Sequence, residues 1–246
     1  MQYKLTLQRS QTDARDFIYK QSKTTVPDEV DLREYDSRVE NQGELGSCAA
    51  ESITSNYELQ TKYHYAEKFV ELSSLYVYYH ARYFNNEVAM DSGTDLRTAL
   101  KGVKSFGICK EELWPYDITK FDTQPTPECY VDGMPRTVSE YHRVFTMSGL
   151  YELVAGKQPV LIGVDVFSNF MDIDKADPNV HYPSDKDELV GAHAMLVVGY
   201  SKPKQILIAK NSFGAEWGDK GYCYIPLQYV HDYVFEKWAF TIVPQK

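Results

Sequence analysis

Four side chains in this sequence of 246 residues have the chemistry to attack and release an acyl group: Cys48, His193, Asn211 and Gln42. Cysteine attacks as its thiolate, so its surroundings decide whether it reacts. Cys48 ends the turn-forming stretch Asn41-Gln-Gly-Glu-Leu-Gly-Ser47 and opens a run in which Ala50, Ile53, Tyr57 and Gln60 recur at helical spacing. Free N–H groups and the helix dipole favour an anion at such a place, which predicts a lowered thiol pKa. A small buried apolar side chain is the competing reading. His193 is a polar, titratable residue inside the apolar run Leu189–Tyr200, either a proton carrier or a satisfied core histidine. Asn211 follows Ile206–Lys210, where its amide either orients an imidazole or starts a turn.

Residues so far apart in sequence need a fold to bring them together. Apolar spacing predicts helices over Ser47–Thr61 (with Ser47 as N-cap), Ser73–Tyr83 and Thr94–Ser105. Pro125, Pro127 and Pro135 mark Asp117–Arg136 as loop. Strands are expected over Val138–Val144, Val160–Val166, Gly191–Tyr200, Gln205–Asn211 and Gly221–Pro226. A short helix is expected at Met147–Ala155, and Thr241–Pro244 closes the sheet. Helices first and strands later give an α+β class. A polar arm over residues 1–25 precedes a compact region, 26–246, that starts at Val26-Pro27. Within that region about 26–135 is mainly helical and about 136–246 mainly β.

Composition removes several function classes. Asp plus Glu number 35 against 26 Lys plus Arg, so the formal charge is −9, and nucleic acid is not an expected partner. No apolar run reaches the roughly 18 residues that span a bilayer, and the N-terminus lacks a secretory apolar segment. The expected location is therefore cytoplasmic or virion-associated. Cys48, Cys109, Cys129 and Cys223 are too widely spaced for a disulfide framework or a Cys-x-x-Cys metal site, so no metal or other cofactor is expected and a reducing compartment is favoured. A Cys109–Cys129 bridge stays open as an alternative.

His193 and Asn211 lie 145 and 163 residues after Cys48, close to the roughly 130–150 given by a general sequence rule for papain and the cathepsins. Together with four sequence blocks, this spacing makes the chain resemble a papain-like (C1) cysteine peptidase, in a divergent branch of bacterial or viral type. The blocks are Asn41 to Cys48 with Gln42 six positions before the cysteine, Gly191-Ala-His193-Ala, Lys210-Asn211-Ser-Phe-Gly214-Ala-Glu-Trp217-Gly218, and Pro27-Asp-Glu-Val-Asp-Leu-Arg33. The resemblance runs from about Val26 to the C-terminus. It implies a two-lobed fold, a helical N-terminal lobe and an antiparallel β-barrel-like C-terminal lobe with a cleft between them.

The resemblance also implies roles. Cys48 would be the nucleophile, His193 its proton partner and Asn211 the group orienting the imidazole. Gln42 would serve in the oxyanion hole. Ser92, Gly93, Ala192 and Trp217 would line the substrate cleft, with Trp217 on the leaving-group side. The substrate would be polypeptide. Departures are Leu45 in place of a bridging cysteine, Ala49 after the nucleophile, and Phe213 where the family has a shielding Trp. These keep two alternatives open, a catalytically silent or latent binding protein and another acyl transferase on the same centre. Residues 1–25 are too short for the family's helical pro-region, so they are expected as a short pro-segment or cleft lid, with a surface strap as the alternative.

Overall fold

The computed structural model describes residues 3–22, 24–65 (side chains to 63) and 69–243. The parts of the sequence expectations that fall on Met1, Gln2, Lys23 and residues 244–246 lie outside the described residues. Three helices come first: α1 (Cys48–Tyr65), α2 (Ser74–Asn85) and α3 (Leu96–Phe106). Local chemistry sets their ends. The Ser73 hydroxyl accepts from Tyr76 N, the Asp95 carboxylate accepts from Thr98 N, and Asn86 closes α2 in the left-handed region at φ 59°. Leu96, Ala99, Leu100 and Val103 form the buried face of α3, as their spacing predicts. Helix α1 is different: residues 48–60 are buried all round, so it is the central helix rather than an amphipathic one. Its polar residues are met by the sheet, with Asn56 donating to the Pro159 carbonyl and Gln60 to that of Phe240, each at 3.1 Å.

The segment expected as loop over 117–136 contains a further helix, α4 (Pro127–Gly133). The proline that argued for loop stands in its first turn, where its missing N–H costs nothing. Helix α5 (Met147–Ala155) matches its expected bounds, capped by Thr146.

The strands form one sheet. Taking β1 (Phe17–Ile18), β2 (Glu29–Asp31), β3 (Val138–Arg143), β4 (Val160–Phe167), β5 (Leu189–Ser201), β6 (Ile206–Lys210), β7 (Tyr222–Pro226) and β8 (Val234–Ile242), the order is β1-β3-β8-β4-β5-β6-β7, with β2 on β5. All pairs are antiparallel except β1 on β3. Two elements lack strong sequence signals. Helix α6 (Leu227–Tyr233) is short, and β1 is two exposed residues of the arm added to the sheet edge. The closing strand is longer than Thr241 onward because Phe235, Lys237 and Thr241 alternate with buried Glu236, Trp238 and Ile242. The core runs continuously from α1 through Trp238 and Phe240 of the sheet. This α+β architecture puts helices and sheet on opposite sides of a cleft, with the start of α1 at its base.

Candidate active site

Strand β5 carries His193 opposite Val164 of β4, and β6 ends at Lys210 so that Asn211 follows directly. The two strands are neighbours, and the His193 Nε2 lies 2.7 Å from Asn211 Oδ1. An amide oxygen can only accept, so Nε2 carries the hydrogen and Nδ1 keeps its lone pair. That Nδ1 is buried and makes no hydrogen bond among the described residues. Asn211 Oδ1 is itself held by Ser212 N at 2.8 Å. Phe213 covers the ring, 4.9 Å away between centroids, and is only 2% exposed. It does the shielding expected where the family has Trp, with help from Phe170, which packs on His193, Phe213 and Trp217. Sequence reasoning missed Phe170, which has no distinguishing neighbours in the chain.

Cys48 is the first residue of α1 and is fully buried. Ser47, the expected N-cap, directly precedes it. Its hydroxyl donates to the Glu51 carboxylate and shares a hydrogen bond with the Tyr116 hydroxyl. The expected lowering of the thiol pKa is reversed: burial pushes Cys48 up to about 12, against backbone hydrogen bonds from Ala194 and Ala49 that favour the anion. Burial likewise pulls His193 down to about 4, only partly offset by Asn211. Desolvation exceeds the helix-end field here, where a segment of the chain itself lies along the cleft.

That segment is the arm. Tyr3 stacks on Phe213 with ring centroids 3.8 Å apart. The Lys4 carbonyl accepts from Gln42 Nε2 at 3.1 Å, and the Lys4 ammonium pairs with Asp91. Ala192 donates its N–H to the Leu5 carbonyl and accepts from Leu7 N, in a parallel bridge centred on Thr6. Gln8 N donates to the Thr94 carbonyl and its side chain to that of Ser92. Gly93 sits at φ 72°, and a Cβ there would overlap the Thr6 carbonyl, so only glycine leaves room for the strand. Leu7 is 6% exposed. The arm thus runs from the Phe213 and Trp217 side of the cleft to the Ser92–Thr94 side, in contact with most of the predicted cleft residues.

Gln42 is fully buried and doubly held. Its Oε1 accepts from the Ser212 hydroxyl at 2.6 Å, and its Nε2 is shared between the Lys4 and Leu45 carbonyls. Sequence reasoning missed Ser212 and the arm residues Tyr3 and Leu7, although Tyr3, Leu5 and Leu7 alternate with polar residues as in a strand. Cys109, Cys129 and Cys223 are buried free thiols, so the alternative Cys109–Cys129 bridge is not formed. Among the described residues no helix is long and apolar enough to cross a membrane.

This cleft joins a cysteine at a helix start, an Asn-held histidine and a glutamine donor across a helix–sheet boundary. Residues 26–239 match the sequence profile of the papain family cysteine proteases. The chain belongs to the papain family. That family is one of cysteine proteases. Similar curated proteins include an uncharacterized peptidase C1-like protein of Acanthamoeba polyphaga mimivirus, 33% identical over 78% of this chain and 65% of its own length. A cathepsin L-like proteinase of Fasciola hepatica is 30% identical over 83% and 61%. The chain therefore spans a little under two thirds of the length of these relatives. Among solved structures, Xylellain, a cysteine protease from Xylella fastidiosa, superposes with a TM-score of 0.90 at 26% identity. That match covers 99% of this papain-family chain and 98% of Xylellain. A digestive procathepsin L 3 of Tenebrio molitor shares the fold at 21% identity and a TM-score of 0.72.

Proposed function

We propose that the chain is a cysteine endopeptidase held latent by its own arm. The observation that carries the reading is the His193–Asn211 hydrogen bond, which leaves Nδ1 as a base inside the cleft that contains Cys48. In the open cleft His193 Nδ1 takes the Cys48 proton and holds the thiolate as an ion pair. The thiolate attacks a peptide carbonyl, whose oxygen gains charge facing Gln42 Nε2 and the Cys48 N–H. The imidazolium then protonates the leaving amine. A water, deprotonated by the same ring, hydrolyses the thioester. Asn211 fixes the ring, and Trp217 walls the leaving-group side.

The arm supports latency in two ways. Lys4 offers its carbonyl to the donor that an oxyanion would use, and the arm's burial of the site disfavours both charges of the ion pair. Residues 1–25 are then a pro-segment or lid on a peptidase unit starting near residue 26. The full-length protein treated with a thiol-directed peptide epoxide, followed by intact mass and peptide mapping, tests this. A single adduct on Cys48 that forms slowly in the native chain and rapidly when the arm is loosened fits the reading. No adduct in either form rejects it and favours a silent binding protein.

Gln42 gives a second expectation. Gln42→Ala removes one oxyanion donor and leaves the Ser212 hydroxyl without its acceptor. Its kcat is expected to fall by about 10²–10³, with little change in KM for peptide substrates. A fall in affinity alone would place Gln42 outside the oxyanion site.

A further inference from the structure

Beyond Gln8 the arm leaves the backbone contacts of the cleft, and its side chains divide between the walls. Gln8 and Ser10 reach the helical side, at the Ser92 carbonyl and the Asp95 carboxylate. Arg9 reaches the sheet side. Its guanidinium donates to both oxygens of Asp165 at 2.7 Å and lies 3.9 Å from the centroid of the Phe235 ring.

The receiving surface is built rather than incidental. Asp165 stands directly opposite Ala192 in the β4–β5 register, at the same step as the backbone groups that hold the arm. Its own carbonyl is fixed by the Tyr229 hydroxyl at 2.8 Å. Gly163, two residues earlier, gives the Phe235 ring its seat, since a Cβ there would come within 2.7 Å of the ring. Next to Phe235 the Glu236 carboxyl is 3% exposed, and its Oε1 makes no hydrogen bond among the described residues. A carboxylate fork beside an aromatic face is what a guanidinium recognises.

We propose that Asp165 and Phe235 form a specificity subsite for a basic side chain, arginine before lysine, of the polypeptide that replaces the arm. The inference rests on the peptidase reading above. Any extended chain bonded to Ala192 and Thr94 directs alternate side chains to the sheet wall, and the next one after Leu7 on that wall meets Asp165. The Arg9 side chain is 57% exposed, so the site opens to solvent and its occupant can exchange. In the latent protein Arg9 fills the place that a substrate side chain takes later.

The test uses the full-length protein with Leu7→Asp to loosen the arm and Arg9→Ala to empty the subsite. Cleavage of a diverse peptide library, read by mass spectrometry, is expected to enrich arginine at one fixed position on the Gly93 side of the scissile bond. For paired peptides with arginine or norleucine at that position, kcat/KM is expected to differ about tenfold, and Asp165→Asn should bring the ratio close to one. Cleavage without basic preference, or a preference that survives Asp165→Asn, overturns the subsite. The same peptides are titrated by fluorescence polarisation against the Cys48→Ser form. Arginine-dependent binding that needs Asp165, without cleavage by the cysteine form, would keep the subsite and reject the peptidase reading. Equal binding of both peptides without cleavage rejects both.

Discussion

Cys48→Ser, made in full-length protein whose arm is loosened by Leu7→Asp, is expected to lower kcat/KM for peptide hydrolysis by on the order of 10⁴ or more. The size follows from ionisation. A thiol exchanges its proton with His193 at modest cost once the cleft is hydrated, whereas a serine hydroxyl stays protonated near neutral pH and needs a stronger base. His193 is a weak one, because its orienting partner, Asn211, is neutral. A serine triad offsets this with a carboxylate that stabilises the imidazolium, and among the described residues none is bonded to the ring. The substitution is nearly isosteric. Its structural cost is one buried hydroxyl, about 1–3 kcal/mol if unpaired. A thermal melt separates that loss from the loss of chemistry: activity lost with the melting point held near the parent value assigns the effect to the nucleophile. Activity retained within tenfold would remove Cys48 from the mechanism, whatever the fold.

The centre was readable because its residues are chemically distinctive. A cysteine after a glycine-bearing loop, a histidine inside an apolar strand and an asparagine after another strand each break a local pattern. The strand neighbours β5 and β6 then place two of them in contact. The α+β class was equally legible from helical spacing in the first half and alternation in the second. What escaped notice depends on contacts distant in sequence. Phe170 looks like any apolar residue until Trp217 and Phe213 pack on it. Leu7 ends a short alternation of Tyr3, Leu5 and Leu7 in an otherwise polar arm, too brief a pattern to announce its burial. Helix α4 was hidden by its proline, whose position relative to the helix start decides between breaker and starter. The thiol pKa was reversed for the same kind of reason. A helix-end rule is local, whereas the burial that outweighs it is set by packing from elements distant in the sequence.

Leu7→Asp in the full-length chain is expected to speed capture of Cys48 by the peptide epoxide by one to two orders of magnitude. Burying a leucine contributes about 1.5–3 kcal/mol to the closed state. A carboxylate in that seat adds a desolvation penalty. Each 1.4 kcal/mol shifts an equilibrium about tenfold. The Gln8, Arg9 and Ser10 contacts remain, so the arm stays tethered near the cleft and the gain has a ceiling. An unchanged capture rate would mean that the arm does not gate the thiol.

The closed–open balance is also linked to protons, in a calculable direction. In the Cys48→Ser form, where no thiolate can hold the imidazolium, opening returns His193 from about 4 towards an ordinary 6.5, so between those values the open form binds more protons. Acidification through that window therefore favours opening, by up to about tenfold per pH unit. Asp91 acts with the same sign. Although burial raises its pKa, bonds from Lys4, Tyr78 and Gly46 hold it below the usual carboxylate range, and protonation undoes the anchor. Hydrogen exchange at the Leu7 and Gln8 amides, corrected for intrinsic rates, reads the opening directly because those groups donate to Ala192 and Thr94 in the closed form. In the Cys48→Ser form protection should fall about fortyfold from pH 6.5 to 4.5 through His193. Thiol reactivity cannot replace this readout, since the same acidification that frees the cleft also depletes the thiolate. A protection factor constant across that interval would show that His193 does not change its solvation when the arm leaves.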